Sequence, residues 1–324
     1  MAEFLTFDTD LTAVANAIRA KGGTSAQLVY PNGFVSAIQA IQTGITPKLV
    51  ITTAPGAAIT ATPAEGFKVV KGTAGADGMC TLELPKAGTW HVTAMANSVS
   101  NSQHIVIGTQ NMLLPLYHDT FADNTWEEII AVCRTGIAPD SWAVGDSKTM
   151  TIGGTAYQVD IIGKNHDEYA DGSGTAPLTF QLHDCYSEAK QMYSTNLSGL
   201  GWKNTDMRLT YLPAILALMP AEVQNGIRAV NKKTSEGGNS TTIETVSDTL
   251  FLLSEVEIFG TASSSVAGEG SQYDYYKAGN PKIKKREGVD EFWWERSSAS
   301  GGMFCRVRAN GQAGASNASN SLGV

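Results

Sequence analysis

The hydrophobic residues of this chain follow three different patterns. In residues 7–43, Leu11, Val14 and Ile18 recur at helical spacing behind Asp8 or Thr9 as N-cap, and Gly22-Gly23 stops the helix. A short strand, Gln27 to Tyr30, and a Pro31-Asn32-Gly33 turn come next. A second helix then carries Phe34, Val35, Ile38 and Ile41 as far as Gly44. About forty residues with two short amphipathic helices bury too little surface to stand alone. This small α-helical module, residues 1–46, is therefore expected to dock on a partner subunit or another protein.

From residue 47 to 108 the period shortens to two. Leu49-Val50-Ile51, Ala58 to Thr62, Lys68-Val69-Val70, Cys80 to Leu84, Thr89 to Ala94 and His104 to Ile107 are short segments. Turn residues such as Pro55-Gly56, Asp77-Gly78 and Gly88 separate them. This spacing predicts an all-β sandwich of immunoglobulin-like shape, without the antibody Cys–Trp–Cys pattern. His91 and His104 read as strand residues.

Residues 109–324 mix both periods, which predicts an α+β domain. Thr125 caps a helix from Trp126 to Arg134, and Lys148 to Ile152 and Thr155 to Ile162 flank a Gly153-Gly154 hairpin turn. Residues 177–182 predict a strand and Ser187 to Leu197 a helix. Two more helices, Leu209 to Leu218 and Ala221 to Val230, are separated by Pro220. Leu250 to Leu253 read as a buried strand. The rest is loop-rich, with a last strand near Phe304 to Arg308.

Composition narrows the function. Hydrophobic residues make up 42% of the chain, enough for a real core, while charged residues are only 17% and glycines number 33. The net charge of −8 argues against a sequence-independent grip on nucleic acid or anionic lipid, and the basic run Lys282 to Arg286 reads as a solvated loop. Cys80, Cys133, Cys185 and Cys305 form no CxxC pair and read as small buried hydrophobes, with a Cys185–Cys305 bridge left open. The N-terminus lacks a signal-peptide pattern, and no apolar run reaches the roughly 20 residues that span a bilayer. A protein made in a cytoplasm, soluble and not inserted in a membrane, is expected.

No metal site or cofactor is expected either. His166-Asp167-Glu168 and His183-Asp184 match no catalytic motif. Asp167, Glu168 and Asp171 could offer carboxylates to calcium, but their spacing is not that of an EF-hand and a solvated acidic loop is the favoured reading. Glu255 and Glu257 read as strand-edge residues paired with Arg or Lys. The segment Phe292 to Val324 opens on Trp293-Trp294 and then becomes almost entirely Ser, Ala, Gly, Asn and Arg. Small polar residues between spaced apolar anchors have the composition of a binding loop. The aromatic cluster Tyr273, Tyr275, Tyr276, Phe292, Trp293 and Trp294 fits core packing or a rigid display platform.

Several segments carry a family resemblance. Gly201 to Asn204, Met207-Arg208, Leu212-Pro213, Met219-Pro220, Phe251 to Gly260 (FLLSEVEIFG), Gly268 to Tyr273 and Trp293 to Ser297 (WWERS) resemble the C-type-lectin-like variable proteins of phage and prophage diversity-generating retroelements. The likeness covers roughly residues 120 to 324. Leu11 to Ile41 resembles an N-terminal module of phage tail-tip and tail-fibre proteins, and the middle unit resembles the immunoglobulin-like domains of phage adhesins.

The resemblance implies a tail-associated receptor-binding protein of the virion, not an enzyme. Its N-terminal module would attach it to other tail proteins as a homotrimer. A C-type-lectin-like domain would bind a bacterial surface protein or glycan. The variable region would lie at about 293–324, with Trp293, Trp294, Phe304 and Val307 as fixed anchors. The displayed, replaceable residues would be Ser298, Ser300, Gly301, Gly302, Met303, Arg306, Arg308, Gln312, Gly314, Ala315 and Ser316. Asn317, Ala318, Asn320 and Ser321 would be constant. A further short strand would be expected after Val324. The alternatives are a structural tail or decoration protein, and a tail-associated glycan hydrolase using carboxylates such as Asp167, Glu168, Glu255 and Glu257.

Overall fold

A computed structural model describes residues 8–20, 47–64, 68–107, 110–238 and 240–324. The expected strand at 27–30 and helix at 34–44 lie outside the described residues. The protein is β-rich, with several small open sheets, and divides into two compact units, Met1–Leu116 and Tyr117–Val324.

In the first unit, helix α1 (Asp8–Ala20) buries Ile18, as the spacing predicts, and Ala15, but leaves Val14 exposed. The β segments are β1 (Lys48–Thr52), β2 (Ala58–Pro63), β3 (Val70–Thr73), β4 (Met79–Glu83), β5 (Gly88–Ala96), β6 (Val99–Ile107) and β7 (Gln110–Leu113). They form two sheets, β4-β1-β7 and β3-β2-β5-β6, which share one core built on Leu49, Ile51, Leu82, Ile59, Trp90 and Val92. β7 pairs in parallel with β1, which carries this unit past residue 108 to Leu116. His91 and His104 are cross-strand partners whose rings stack at 4.5 Å, strand residues as expected.

The second unit begins with helix α2 (Trp126–Cys133). Thr125 and Glu128 close a capping box on it, satisfying two backbone N–H groups that the helix itself leaves free. Strands β8 (Ser147–Ile152), β9 (Thr155–Gly163) and β10 (Thr179–Leu182) form an antiparallel sheet. Both residues of the β8–β9 turn need positive φ, 57° at Gly153 and 85° at Gly154, which explains the Gly-Gly pair.

A π-helical turn at Met207–Tyr211 leads into α3 (Leu212–Leu216), and α4 (Ala221–Gly226) follows Pro220. Next come the β11 (Val230–Ser235) and β12 (Ile243–Asp248) pair, α5 (Glu255–Phe259), α6 (Asp274–Lys277), and the β13 (Lys284–Arg286) and β14 (Val289–Glu291) pair. The final sheet is β15 (Trp293–Ser298), β16 (Met303–Val307) and β17 (Ala313–Asn317), with β16 central.

Three sequence expectations fail here for identifiable reasons. Residues 187–197 form no helix, because their backbone donors serve the C-terminal segment instead: Lys190 N–H donates to the Leu322 carbonyl at 2.9 Å and Met192 N–H to that of Ala318 at 2.9 Å. Leu250 to Leu253 join no sheet, since the Leu252 and Leu253 carbonyls accept from Arg296. Glu255 and Glu257 sit on a helix rather than a strand edge, held by a Ser254–Glu257 capping box. All four cysteines are free thiols, so Cys185 and Cys305 are not bridged.

The α2 capping box generates a simple test. Thr125→Ala should cost about 1 kcal/mol, lowering the Tm of this unit by roughly 2–4 °C, whereas Thr125→Ser should be nearly neutral in thermal denaturation.

Candidate functional site

The C-terminal sheet stands on a chain of buried charges. Arg296 of β15 is fully buried. Its guanidinium forks onto Glu257 at 2.5 and 2.8 Å and also donates to the carbonyls of Leu252, Lys233 and Glu269. Glu257 accepts a second cation, the Lys232 ammonium, at 2.7 Å. Lys232 reaches on to Asp167 at 2.8 Å and to the Tyr273 hydroxyl at 2.9 Å, and lies 4.2 Å above the Phe251 ring. Asp167 in turn accepts from Thr179 and Tyr273.

The order is minus, plus, minus, plus, and each charge is also hydrogen-bonded, which is the condition for such groups to stay ionised in a core. Burial alone would raise the Glu257 pKa, but Arg296 and Lys232 outweigh it and hold the carboxyl down at about 2. Burial raises Tyr273 well above its ordinary range, and the neighbouring carboxylates Glu257 and Asp167 add to that, so it remains a phenol donor.

A second buried group differs in kind. Glu295 of β15 is fully buried and, among the described residues, neither carboxyl oxygen has a hydrogen-bonding partner. Burial, reinforced by Glu255 and Glu269, pushes its pKa far up, so it is held as the neutral acid. Burial works against the Glu255 carboxylate too, but hydrogen bonds from Ser263, Ser264 and Ser265 outweigh it and lower its pKa. The Cys305 thiol, 4.0 Å from Glu255, is raised by its burial.

On this base stand the residues singled out from the sequence. Trp293, Trp294, Phe304 and Val307 are all buried. Trp294 donates its indole N–H to the Lys190 carbonyl at 2.8 Å, and Phe304 packs 6.1 Å from Tyr193. Ser300, Gly301, Arg308 and Gln312 are exposed, while Gly302, Met303, Arg306 and Ala315 are half-buried. Ser298, Gly314 and Ser316 are buried and do not belong to a displayed surface. Ser298 and Ser316 stand opposite Phe304 in the neighbouring strands, on the face that packs into the core, and the Ser298 hydroxyl donates to the Gly238 carbonyl.

Gly302 is not freely replaceable either. It has φ +78°, and a Cβ there would meet the Asn196 carbonyl oxygen at 2.7 Å. Ala318 is buried, Asn317 exposed, and the chain end is seated rather than loose: Trp294 N–H donates to the Gly323 carbonyl at 3.0 Å.

The exposed residues form two patches rather than one face. β16 is the central strand and is covered on both sides, by Phe304 on one and Cys305 and Val307 on the other. What stays open is the turn at 300–302 and the turn at 308–312, at opposite ends of β16 and about 17 Å apart by strand rise. At the second turn the Arg306 guanidinium stacks 4.0 Å from the centre of the Phe292 ring, and its Nε–H donates to the Ala315 carbonyl at 3.2 Å. Phe292, one of the aromatics for which core packing and a display platform both stood open, is 36% exposed.

Other expectations resolve as follows. Asp167 is buried against Lys232, and Asp171 pairs with Arg228 at 2.6 Å, so they do not share a calcium loop. Among the described residues, no group of three or more His, Cys, Asp or Glu is arranged for a metal. Of the carboxylates weighed for hydrolysis, Asp167 and Glu257 are neutralised by Lys232, Glu255 is occupied by serines, and only Glu168 is exposed. The run Lys282 to Arg286 is not wholly solvated: Lys284 is buried, and burial draws its pKa down to about 8. Separately, an apolar cavity of about 270 Å³ is walled by residues including Trp126, Phe180, Leu212, Met219, Phe251 and Trp294. Neither turn of the C-terminal sheet lines it.

Comparison with known proteins adds one finding. Residues 179–324 match the model of a domain of unknown function, DUF6273, a span that takes in Lys232, Glu257 and Arg296 but not Asp167. No curated protein matches the chain.

Two tests address the buried groups. Glu257→Gln strands Arg296 and Lys232 and should cost about 3–5 kcal/mol in chemical denaturation. Because the folded pKa lies below the unfolded one, the Glu257 contribution is complete above about pH 4.5. It is lost as pH falls towards 2, so the gap between wild type and variant should narrow over that window. Glu295 has the opposite sign: the folded state keeps a proton that the unfolded chain releases near pH 4.5, so wild type loses stability as pH rises above that value. Glu295→Leu should therefore raise Tm at pH 8, with the gain fading towards pH 4.

Proposed function

We propose that this chain is a phage or prophage tail-associated receptor-binding protein, whose C-type-lectin-like C-terminal unit presents changeable side chains to a bacterial surface ligand. The β-sandwich of residues 47–108 is read as an immunoglobulin-like spacer. The N-terminal helical module is read as the attachment to other tail proteins, as a homotrimer.

The observation that carries this reading is the contrast inside one small sheet. Trp293, Trp294, Arg296, Phe304 and Val307 are buried, yet the turns at the two ends of β16 carry Ser300, Gly301, Arg308 and Gln312 in solvent. Side chains held on a fixed base lose little freedom on binding, so changing them alters specificity without unfolding the support. The neutralisation of Asp167 and Glu257 by Lys232 favours binding over the glycan-hydrolase alternative. Several copies on one tail would convert weak single contacts into avidity.

The test uses the full chain, fluorescently labelled, against a panel of bacterial strains in flow cytometry. Replacing Ser300, Gly301, Arg308 and Gln312 together should change the strain-binding profile by about tenfold or more for the strains bound, with Tm shifted by only about 2 °C, as for surface changes. An unchanged profile would sink the receptor reading and leave the structural tail protein in its place.

A further inference from the structure

Arg306 and Arg308 are two cations with no counter-charge among the described residues. The protein as a whole carries −8, and ion pairs elsewhere in this unit consume Lys232, Arg208, Arg228, Arg286 and Arg296. Among the described residues, neither Arg306 nor Arg308 has a carboxylate within ion-pair distance. Burial lowers the Arg306 pKa, and the charge of Arg308 lowers it further; no carboxylate counters the two.

The geometry orders the pair. Arg306 is fixed at two points, its stack on Phe292 and the Nε–H to the Ala315 carbonyl, which leaves both terminal nitrogens without hydrogen-bond partners among the described residues. Arg308 is two residues further along and so shares the Arg306 side of the chain. Its side chain crosses Gly314, the cross-strand partner of Arg306, so closely that a Cβ on Gly314 would lie 2.8 Å from the Arg308 Nε. Gly314 thus makes room for the second guanidinium to lie beside the first. A pre-oriented guanidinium with a free fork, next to a second cation, matches an oxyanion in shape and charge.

We propose that Arg306 and Arg308, seated on Phe292 and Gly314, receive an oxyanion group of the ligand, a carboxylate or a sulfate. This rests on the receptor-binding reading and names the chemistry of its ligand. The pairing supplies two charge-assisted contacts that a neutral ligand cannot make, and it is sensitive to salt.

The experiment measures binding of the full chain to immobilised polygalacturonate, dextran sulfate and neutral dextran, at low and high salt. Binding to one or both charged polymers is expected, weakened by salt, with none to neutral dextran; which polymer binds identifies the oxyanion. Arg306→Gln/Arg308→Gln should bind about tenfold more weakly or worse. Arg308→Gln alone, at an exposed side chain, should lose part of the binding with Tm unchanged. Lys285→Gln, which removes an exposed cation elsewhere, should bind like wild type.

Equal binding by wild type and the double variant, equal loss in Lys285→Gln, or no binding to either charged polymer would overturn the proposal. The two readings fail separately. A strain profile that shifts with the four-residue replacement, while no charged polymer binds, removes the oxyanion site and keeps the receptor reading. Arginine-dependent polymer binding by a chain that adsorbs to no strain does the reverse.

Discussion

The bidentate pairing of Arg296 with Glu257 is the constraint on which the C-terminal unit depends. Neither charge could remain ionised in the core alone, so each fixes the position of the other. Through Lys232 the pair extends to Asp167. The guanidinium also takes up the carbonyls of Lys233, Leu252 and Glu269. Five separated segments therefore meet at one point: the loop bearing Asp167, strand β11, helix α5, the loop bearing Glu269, and β15. In a unit made of small sheets and long loops, that meeting point does what a large continuous sheet does elsewhere.

The same constraint shapes the surface. With β15 fixed by Arg296 and buried along its length, β16 becomes the covered middle strand, and only its two ends reach solvent. The open residues are consequently divided between two turns with different chemistry. The turn at 300–302 is small and uncharged. The other carries Arg308, beside Arg306 at the end of β16 and the partly exposed Phe292. The buried network and the open arginines have opposite electrostatics: inside, each charge is matched; at the turn, two like charges are left for something else to match.

Much of the local structure was legible from residue order. The Thr125 cap, the Gly153-Gly154 hairpin and six β segments of the first unit follow from period, turn chemistry and capping rules, while Trp293, Trp294, Phe304 and Val307, which the resemblance marks as anchors, are buried. The misreadings share one cause. Residues 187–197 and Leu250 to Leu253 are read from their own sequence pattern, and Ser298 and Ser316 from the family resemblance, but each is governed by a distant partner: the C-terminal segment, Arg296, or the Phe304 row. β17 is illegible because Ala, Gly and Ser carry no alternating hydrophobic signal, and β15 (WWERSS) because it is buried along its whole length and so does not alternate. Phe292 was placed with its aromatic neighbours because nothing in sequence separates a ring at a core edge from one inside it.

The sequence by itself determined what neighbours along the chain can settle: capped helix starts, tight turns, alternating strands, and the apolar anchors of an otherwise polar tail. These depend on backbone sterics and on side chains within a few residues of one another. Only the tertiary structure decided which charges are paired and which are free. Arg296 and Arg306 lie on adjacent strands of one sheet and look alike in sequence. One meets Glu257, 39 positions away, and the other meets Phe292 and a backbone carbonyl, with no carboxylate paired to it among the described residues. That difference is set by long-range contact and burial, because the strength of a charge interaction depends on the medium around it and on the partner that folding brings within reach.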